Sequence, residues 1–160
     1  MLILNKNILT IGGNRLEGGP LTPPVPPTDP YNPLGLPPNT VRVRTNDGNV
    51  PSSSSYYETA TLVSGTTDVY DVYKSGTSLN NLFRYAINVV EVLGANTSAI
   101  TEMTLMFMGS YSLTSVTLFD TSSVTTMNSM FQNCTSITSI PLFDTSNVTN
   151  MSYMFQSMQA

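Results

Sequence analysis

The sequence predicts an α/β repeat fold: a short solenoid of 24-residue strand-plus-helix units. A small β cap closes its N-terminal side, preceded by an extended arm and a proline-rich linker. Three observations predict it. Phe83, Phe107, Phe131 and Phe155 recur at one constant interval, and a fixed period of that size marks stacked repeats. The unit starting at Met106 and the unit starting at Met130 are identical at 13 of 24 positions. Within each unit, one apolar spacing suits a helix and another suits a strand.

The arm comes first. In residues 1–19, Leu2–Leu4 and Ile8–Ile11 are β-prone, and "GGNRLEGG" reads as loose chain. Leu2, Ile3, Leu4, Ile8, Leu9 and Ile11 are the candidate anchoring residues. No secretory pattern is expected here, because Asn5-Lys6-Asn7 interrupts an apolar run of only four. Residues 20–38 hold nine of the eleven prolines. Proline fixes φ and lacks a donor, so this stretch favours polyproline II and reads as a spacer.

Residues 39–81 read as the β cap. "TVRVRT" alternates valine with arginine, as a half-buried strand does. "NDGN" reads as a turn rather than a calcium loop, since the later acidic ligands are missing. "YETATLVS" and "TDVYDVYKS" are two further strand candidates.

Residues 82–160 form the array. Met127, Met130, Phe131 and Cys134 fall at i, i+3, i+4 and i+7, as do Met151, Met154, Phe155 and Met158. That spacing predicts one apolar face of a short helix. Leu113, Val116 and Leu118, then Ile137, Ile140 and Leu142, predict short strands, with a weaker pair at Val89 and Val92. The expected repeat core is Phe83, Phe107, Phe131, Phe155, Val116, Leu118, Ile140 and Leu142. A single unit cannot bury its apolar face alone; stacked neighbours bury it together. The array stops after Met158 without a polar capping unit. The expected consequence is a covering partner, a symmetry mate or a longer natural product.

Composition narrows the chemistry. The chain has six Lys and Arg against ten Asp and Glu, no histidine and one cysteine. All six cations lie at or before Arg84. A cation-free half gains nothing from counterion release, so nucleic acid and anionic membrane are poor partners. The missing histidines remove Ser-His-Asp triads and His-ligated zinc. No cofactor, metal site, internal disulfide or membrane insertion is expected.

Asp120 and Asp144 occupy equivalent positions in adjacent units. Neighbouring carboxylates could serve a glycosidase, but Asp in "FDTS" also caps turns, and capping is the preferred reading. Cys134 reads as a buried, inert thiol. Tyr70, Tyr73 and Tyr85 could stack on sugars, although strand tyrosines usually pack across strands. Asn96, Asn133, Asn147 and Asn150 head N-x-S/T triplets that arise readily in so Ser/Thr-rich a chain.

The strand motif L-x-x-L-x-L with a following helix resembles a leucine-rich repeat. More specifically, "LTSVTLFDTSSVTTMNSMFQNCTSITSIPLFDTSNVTNMSYMF" resembles the BspA-type repeats of bacterial surface proteins, whose string F-D-T-S-x-V-T-x-M-x-x-M-F is nearly complete here twice. Thr97, Thr121 and Thr145 stand where a standard leucine-rich repeat carries Asn. The resemblance implies a non-enzymatic adhesion scaffold. With the first half included, the chain also looks like the fibre or decoration proteins of phages infecting gut bacteria. That resemblance implies a virion-surface location, capsid or tail proteins bound through the arm, and a host protein or glycan bound through the repeats. The uncapped end of the array leads to the expectation of a homo-oligomer, and for a fibre a trimer is the expected form. A cellular surface adhesin is the alternative, and a glycan-active enzyme a distant third.

Overall fold

The computed structural model describes residues 3–5, 8–11, 14–17, 29–52 and 54–158. Two sheets are present. β1 (Ile3–Asn5), β2 (Ile8–Ile11) and β3 (Asn14–Glu17) form an antiparallel sheet in that order. The stretch expected to be loose therefore contains a strand. Leu4, Leu9 and Leu16 stand opposite one another in register. Leu2 of the candidate anchoring set lies outside the described residues.

The second sheet has five strands in the order β5-β6-β4-β7-β8: β4 (Thr40–Thr45), β5 (Thr59–Leu62), β6 (Val69–Tyr73), β7 (Val89–Asn96) and β8 (Ser115–Val116). All neighbours are antiparallel except β7 and β8, which are parallel. In β4 the alternation is literal. Val41 and Val43 are fully buried, while Arg42 pairs with Asp71 at 2.6 Å and Arg44 with Glu91 at 2.6 Å. The sheet runs without a break from the expected cap into the repeats.

Asp29–Pro38 is not a free spacer. Leu36 is buried. Its N–H donates to Asn32 Oδ1 at 2.8 Å, and its carbonyl accepts from Asn32 Nδ2 at 3.0 Å and Asn96 Nδ2 at 2.9 Å. Leu34 lies over Gly94 of β7, where a Cβ would come within 2.7 Å of Leu34 Cδ1. Residues 20–28 lie outside the described set.

The expected strand-plus-helix unit is absent. Among the described residues there is no α-helix, and the only helical turn is a 3-10 turn at Ser54–Tyr56. The i, i+3, i+4, i+7 segments instead form a ribbon of overlapping turns. Even-numbered N–H groups close turns within a coil: Leu82 to Leu79 O, Arg84 to Asn81 O, Ala86 to Phe83 O. Odd-numbered N–H groups reach the next coil: Leu79 to Glu102 O, Asn81 to Thr104 O, Phe83 to Met106 O, Tyr85 to Met108 O, at 2.8 to 3.0 Å. The same four bonds recur one coil on, from Met103 to Gly109, and again in the coil after that, from Met127 to Asn133. A helix would send the Phe131 N–H back to residue 127; here it goes forward to Met154 O at 3.0 Å.

Backbone conformation makes this possible. Left-handed residues recur with the same period at Asn81, Leu105, Ser129 and Tyr153, and again at Tyr85, Gly109, Asn133 and Ser157. A positive φ interrupts an α-helix and turns alternate donors outward. Threonines fasten a second corner. Thr101, Thr125 and Thr149 each donate both N–H and Oγ1 to the carbonyl of the matching threonine in the preceding coil. At the first coil, the Lys74 ammonium donates to the Asn80 carbonyl at 3.0 Å.

The core fills the stack layer by layer. Phe83, Phe107 and Phe131 are fully buried, with ring centroids 5.5 and 5.4 Å apart and nearly parallel planes. Val116 is buried, and Leu118 and Ile140 are partly buried against the core. Two expected core residues depart from it. Leu142 is 94% exposed, and Phe155 is 48% exposed although its ring still stacks on Phe131 at 6.3 Å. Phe155 belongs to the last described coil, which has a coil against one side only. The strands expected at 113–118 and 137–142 shrink to Ser115–Val116 and to none. Leu142 therefore sits on an outward loop rather than on a core-facing strand.

Candidate functional site

The chemistry-bearing residues read from the sequence are mostly structural. Asp120 and Asp144 each accept the N–H of the serine two residues on, Ser122 and Ser146, at 2.9 Å. These are Asx turns. The bond from Ser146 holds the exposed Asp144 carboxyl below its usual range. Their main-chain carbonyls accept from Thr97 and Thr121 of the preceding coil, so the threonines at the asparagine position of a leucine-rich repeat bond between coils. Asp47 of "NDGN" accepts from Asn49 N–H and from Asn88 Nδ2. Among the described residues no group of three or more His, Cys, Asp or Glu is placed to hold a metal ion.

Cys134 is buried and donates Sγ–H to Phe107 O at 3.0 Å. Ser110, one coil earlier, makes the equivalent bond to Phe83 O at 2.7 Å. Burial pushes the Cys134 thiol up to about 12, which leaves it protonated and unreactive. Asn96 bonds Leu36, Asn147 donates to Ser122 O, and Asn150 accepts from Ser152 N–H. Asn133 occupies one of the left-handed turn positions.

The three tyrosines separate. Tyr70 is buried in β6 and donates its hydroxyl to Gly48 O at 2.6 Å. Tyr73 ends β6 on the open side of the sheet. Tyr85 is different: it lies in the turn ribbon, left-handed at φ 57, and is 46% exposed. Its N–H is fixed to Met108 O. Its ring lies over the next coil at Gly109, where a Cβ would stand 2.5 Å from Tyr85 Cε1. Glycine at 109 is what lets the ring lie down. The Arg84 guanidinium carbon sits 5.1 Å from the ring centroid, within cation–π range.

Two further exposed residues lie close to Tyr85 and Gly109 in the chain. Ile87, 57% exposed, and Tyr111, 46% exposed, hold equivalent positions in adjacent coils. Tyr111 follows Gly109 closely, with Ser110 between them. Tyr85, Ile87 and Tyr111, hereafter the ledge, are thus exposed on adjacent coils that the Tyr85 N–H to Met108 O bond joins, with Arg84 against Tyr85. Sequence reasoning missed Ile87, Tyr111 and Arg84. The available signal was a large apolar residue recurring at the repeat period outside the core pattern.

No helix among the described residues is long and apolar enough to cross a membrane. Comparison with curated proteins and with solved structures gives no match. Comparison with family models gives one, described as "Mycoplasma protein of unknown function, DUF285", over residues 50–160. The matched span takes in the whole turn ribbon, the ledge and most of the five-stranded sheet. The chain therefore belongs to the DUF285 family, which is related to the BspA-type surface repeat proteins.

Proposed function

We propose that this chain is a non-enzymatic binding module, displayed on a biological surface, whose repeat array makes the adhesive contact. The observation that carries the reading is the exposed ledge of Tyr85, Ile87 and Tyr111 on a scaffold pinned by repeated backbone bonds. Large aromatic and apolar side chains on a rigid support provide contact area at little ordering cost. Kinship with surface repeat proteins supports the same reading.

The surface is that of a virion. The chain is a fibre or decoration protein, held by the N-terminal sheet that carries Ile3, Leu4, Ile8, Leu9 and Ile11. What supports it is the resemblance drawn from the first half of the sequence, together with the cross-strand row Leu4–Leu9–Leu16. A cellular surface is the other location.

Adsorption of the purified chain to a panel of bacterial envelopes tests the binding reading. Saturable adsorption, weakened at least about tenfold by Tyr85→Ala with Tyr111→Ala, is expected. Unchanged adsorption by the double variant, or turnover of a glycan, would overturn it. Peptide mass spectrometry of purified virions against host envelopes tests the location.

A further inference from the structure

We infer that the ledge is a site for an acidic sugar, one that sets its ring on Tyr85 and Tyr111 and its carboxylate on Arg84. The inference rests on the binding-module reading and names the ligand class of the same surface.

Charge points to an acid. Arg84 is the only Lys or Arg between residues 75 and 160. In the five-stranded sheet Arg42 is neutralised by Asp71, and Arg44 by Glu91 and Asp68. Arg84 has no carboxylate partner among the described residues. Its Nη1 makes one long bond to Asn81 Oδ1 at 3.4 Å, and its buried Nε has no hydrogen-bond partner. The buried Nε has lost hydration that no hydrogen bond in the fold replaces, and the charge itself is met only by the Tyr85 ring and the Asn81 amide oxygen. A carboxylate would supply two acceptors to the Nη groups, in the planar geometry that a guanidinium matches.

Shape points to a sugar. The exposed residues beside this cation are aromatic and aliphatic, and both tyrosines carry hydroxyls. A pyranose has an apolar C–H face and a polar rim, so it can cover the rings while keeping its hydroxyls in contact with water or with the tyrosine hydroxyls. An extended acidic peptide would meet the same charge but would use the exposed ring faces less well. The Tyr85 ring is also pre-positioned. Its left-handed backbone is fixed by hydrogen bonding and its edge rests over Gly109, so little ordering remains for the ligand to impose.

The test uses the full chain. Saturation-transfer NMR and calorimetry are run with an oligouronate, a neutral oligosaccharide of the same linkage, and a glutamate-rich peptide. The oligouronate is expected to bind, with strongest transfer to its ring C–H protons. Affinity should fall as salt is raised, and the neutral sugar should bind at least about tenfold more weakly. Arg84→Gln should weaken oligouronate binding at least about tenfold with an unchanged thermal transition. If that variant is destabilised, Arg84→Lys replaces it, keeping the charge but losing the fork, and a several-fold loss is expected. Equal binding of the neutral sugar, or of the variant, overturns the acidic-sugar assignment while leaving the binding module standing. Preference for the acidic peptide also overturns the assignment. Envelope adsorption that persists with no oligouronate binding overturns it as well. Loss of all adsorption defeats the module reading itself.

Discussion

Replacing Gly109 with alanine gives opposite signs for a helix and for the turn ribbon. Were residues 103–110 helical, alanine would be the better residue by about 0.8–1 kcal/mol. In the ribbon Gly109 has φ 71. A left-handed L-residue costs roughly 1–2 kcal/mol. The stiffer unfolded chain returns about 0.4–1 kcal/mol of that, leaving a net loss of about 1 kcal/mol from strain alone. The new methyl also falls on the Tyr85 ring, 2.5 Å from Cε1, so the ring must lift off the ledge. Coupling between contacting residues is typically about 0.5–3 kcal/mol, and the total expected loss is about 1.5–4 kcal/mol. Urea denaturation of Gly109→Ala, Tyr85→Ala and the double variant separates the two contributions. Strain persists in the double variant and the clash does not. An alanine variant more stable than the parent would refute the ribbon geometry. Zero coupling would refute the placement of the Tyr85 ring.

Phe131 stacks between Phe107 and Phe155 and is fully buried; Phe131→Ala should cost roughly 3–5 kcal/mol and Phe155→Ala clearly less, which denaturant midpoints at constant m-value would show. Leu36→Ala should cost about 2–5 kcal/mol, and removal of residues 1–38 should lower the thermal transition; an unmoved transition would make the packed stretch 29–38 dispensable. Cys134 titrates far above the roughly 8.5 of an unfolded cysteine. The folded state therefore keeps a proton that the unfolded state loses. The stability from the buried thiol is complete below about pH 8.5 and is lost as pH rises toward 12. Cys134→Ser should remove this slope while keeping the bond to Phe107 O, since Ser110 makes that bond one coil earlier; a slope that survives in the variant would show that another group titrates.

The repeat period was legible because stacking demands it. Phe83, Phe107 and Phe131 must present the same ring to the same layer, and drift in spacing would break the stack. The conformation between those rings was not legible. Met127, Met130, Phe131 and Cys134 are all buried, but burial at i, i+3, i+4 and i+7 suits a turn ribbon as well as a helix. Periodicity reports which side chains go inward and says nothing of where each N–H points. Asn81, Gly109 and Asn133 were the discordant residues, since all three tolerate a positive φ. The proline-rich composition disclosed a fixed φ but not that Leu34 and Leu36 would find Gly94 and Asn96. The ledge escaped notice because Ile87 and Tyr111 lie outside every strand or helix pattern.

The direction of the inter-coil bonds has an electrostatic consequence. In the turn ribbon the N–H groups of each coil point to the next coil and the accepting carbonyls point back, four times at each of three junctions. The threonine bonds, such as Thr101 N–H to Thr77 O, run the other way and offset only part of this. The ribbon is therefore a column of aligned peptide dipoles along the stacking axis. It carries the kind of macrodipole associated with helices, in a protein whose described residues contain no α-helix. Its negative pole is the carbonyl edge of the first coil, and the Lys74 ammonium stands at that edge against Asn80 O. A cation at the carbonyl end of aligned dipoles is stabilised by about 0.3–1 kcal/mol when exposed. Burial draws the Lys74 pKa down, and Glu102 and Glu58 oppose that shift, as the backbone carbonyls do. The ammonium thus does for the column what a basic residue in its last turn does for a helix.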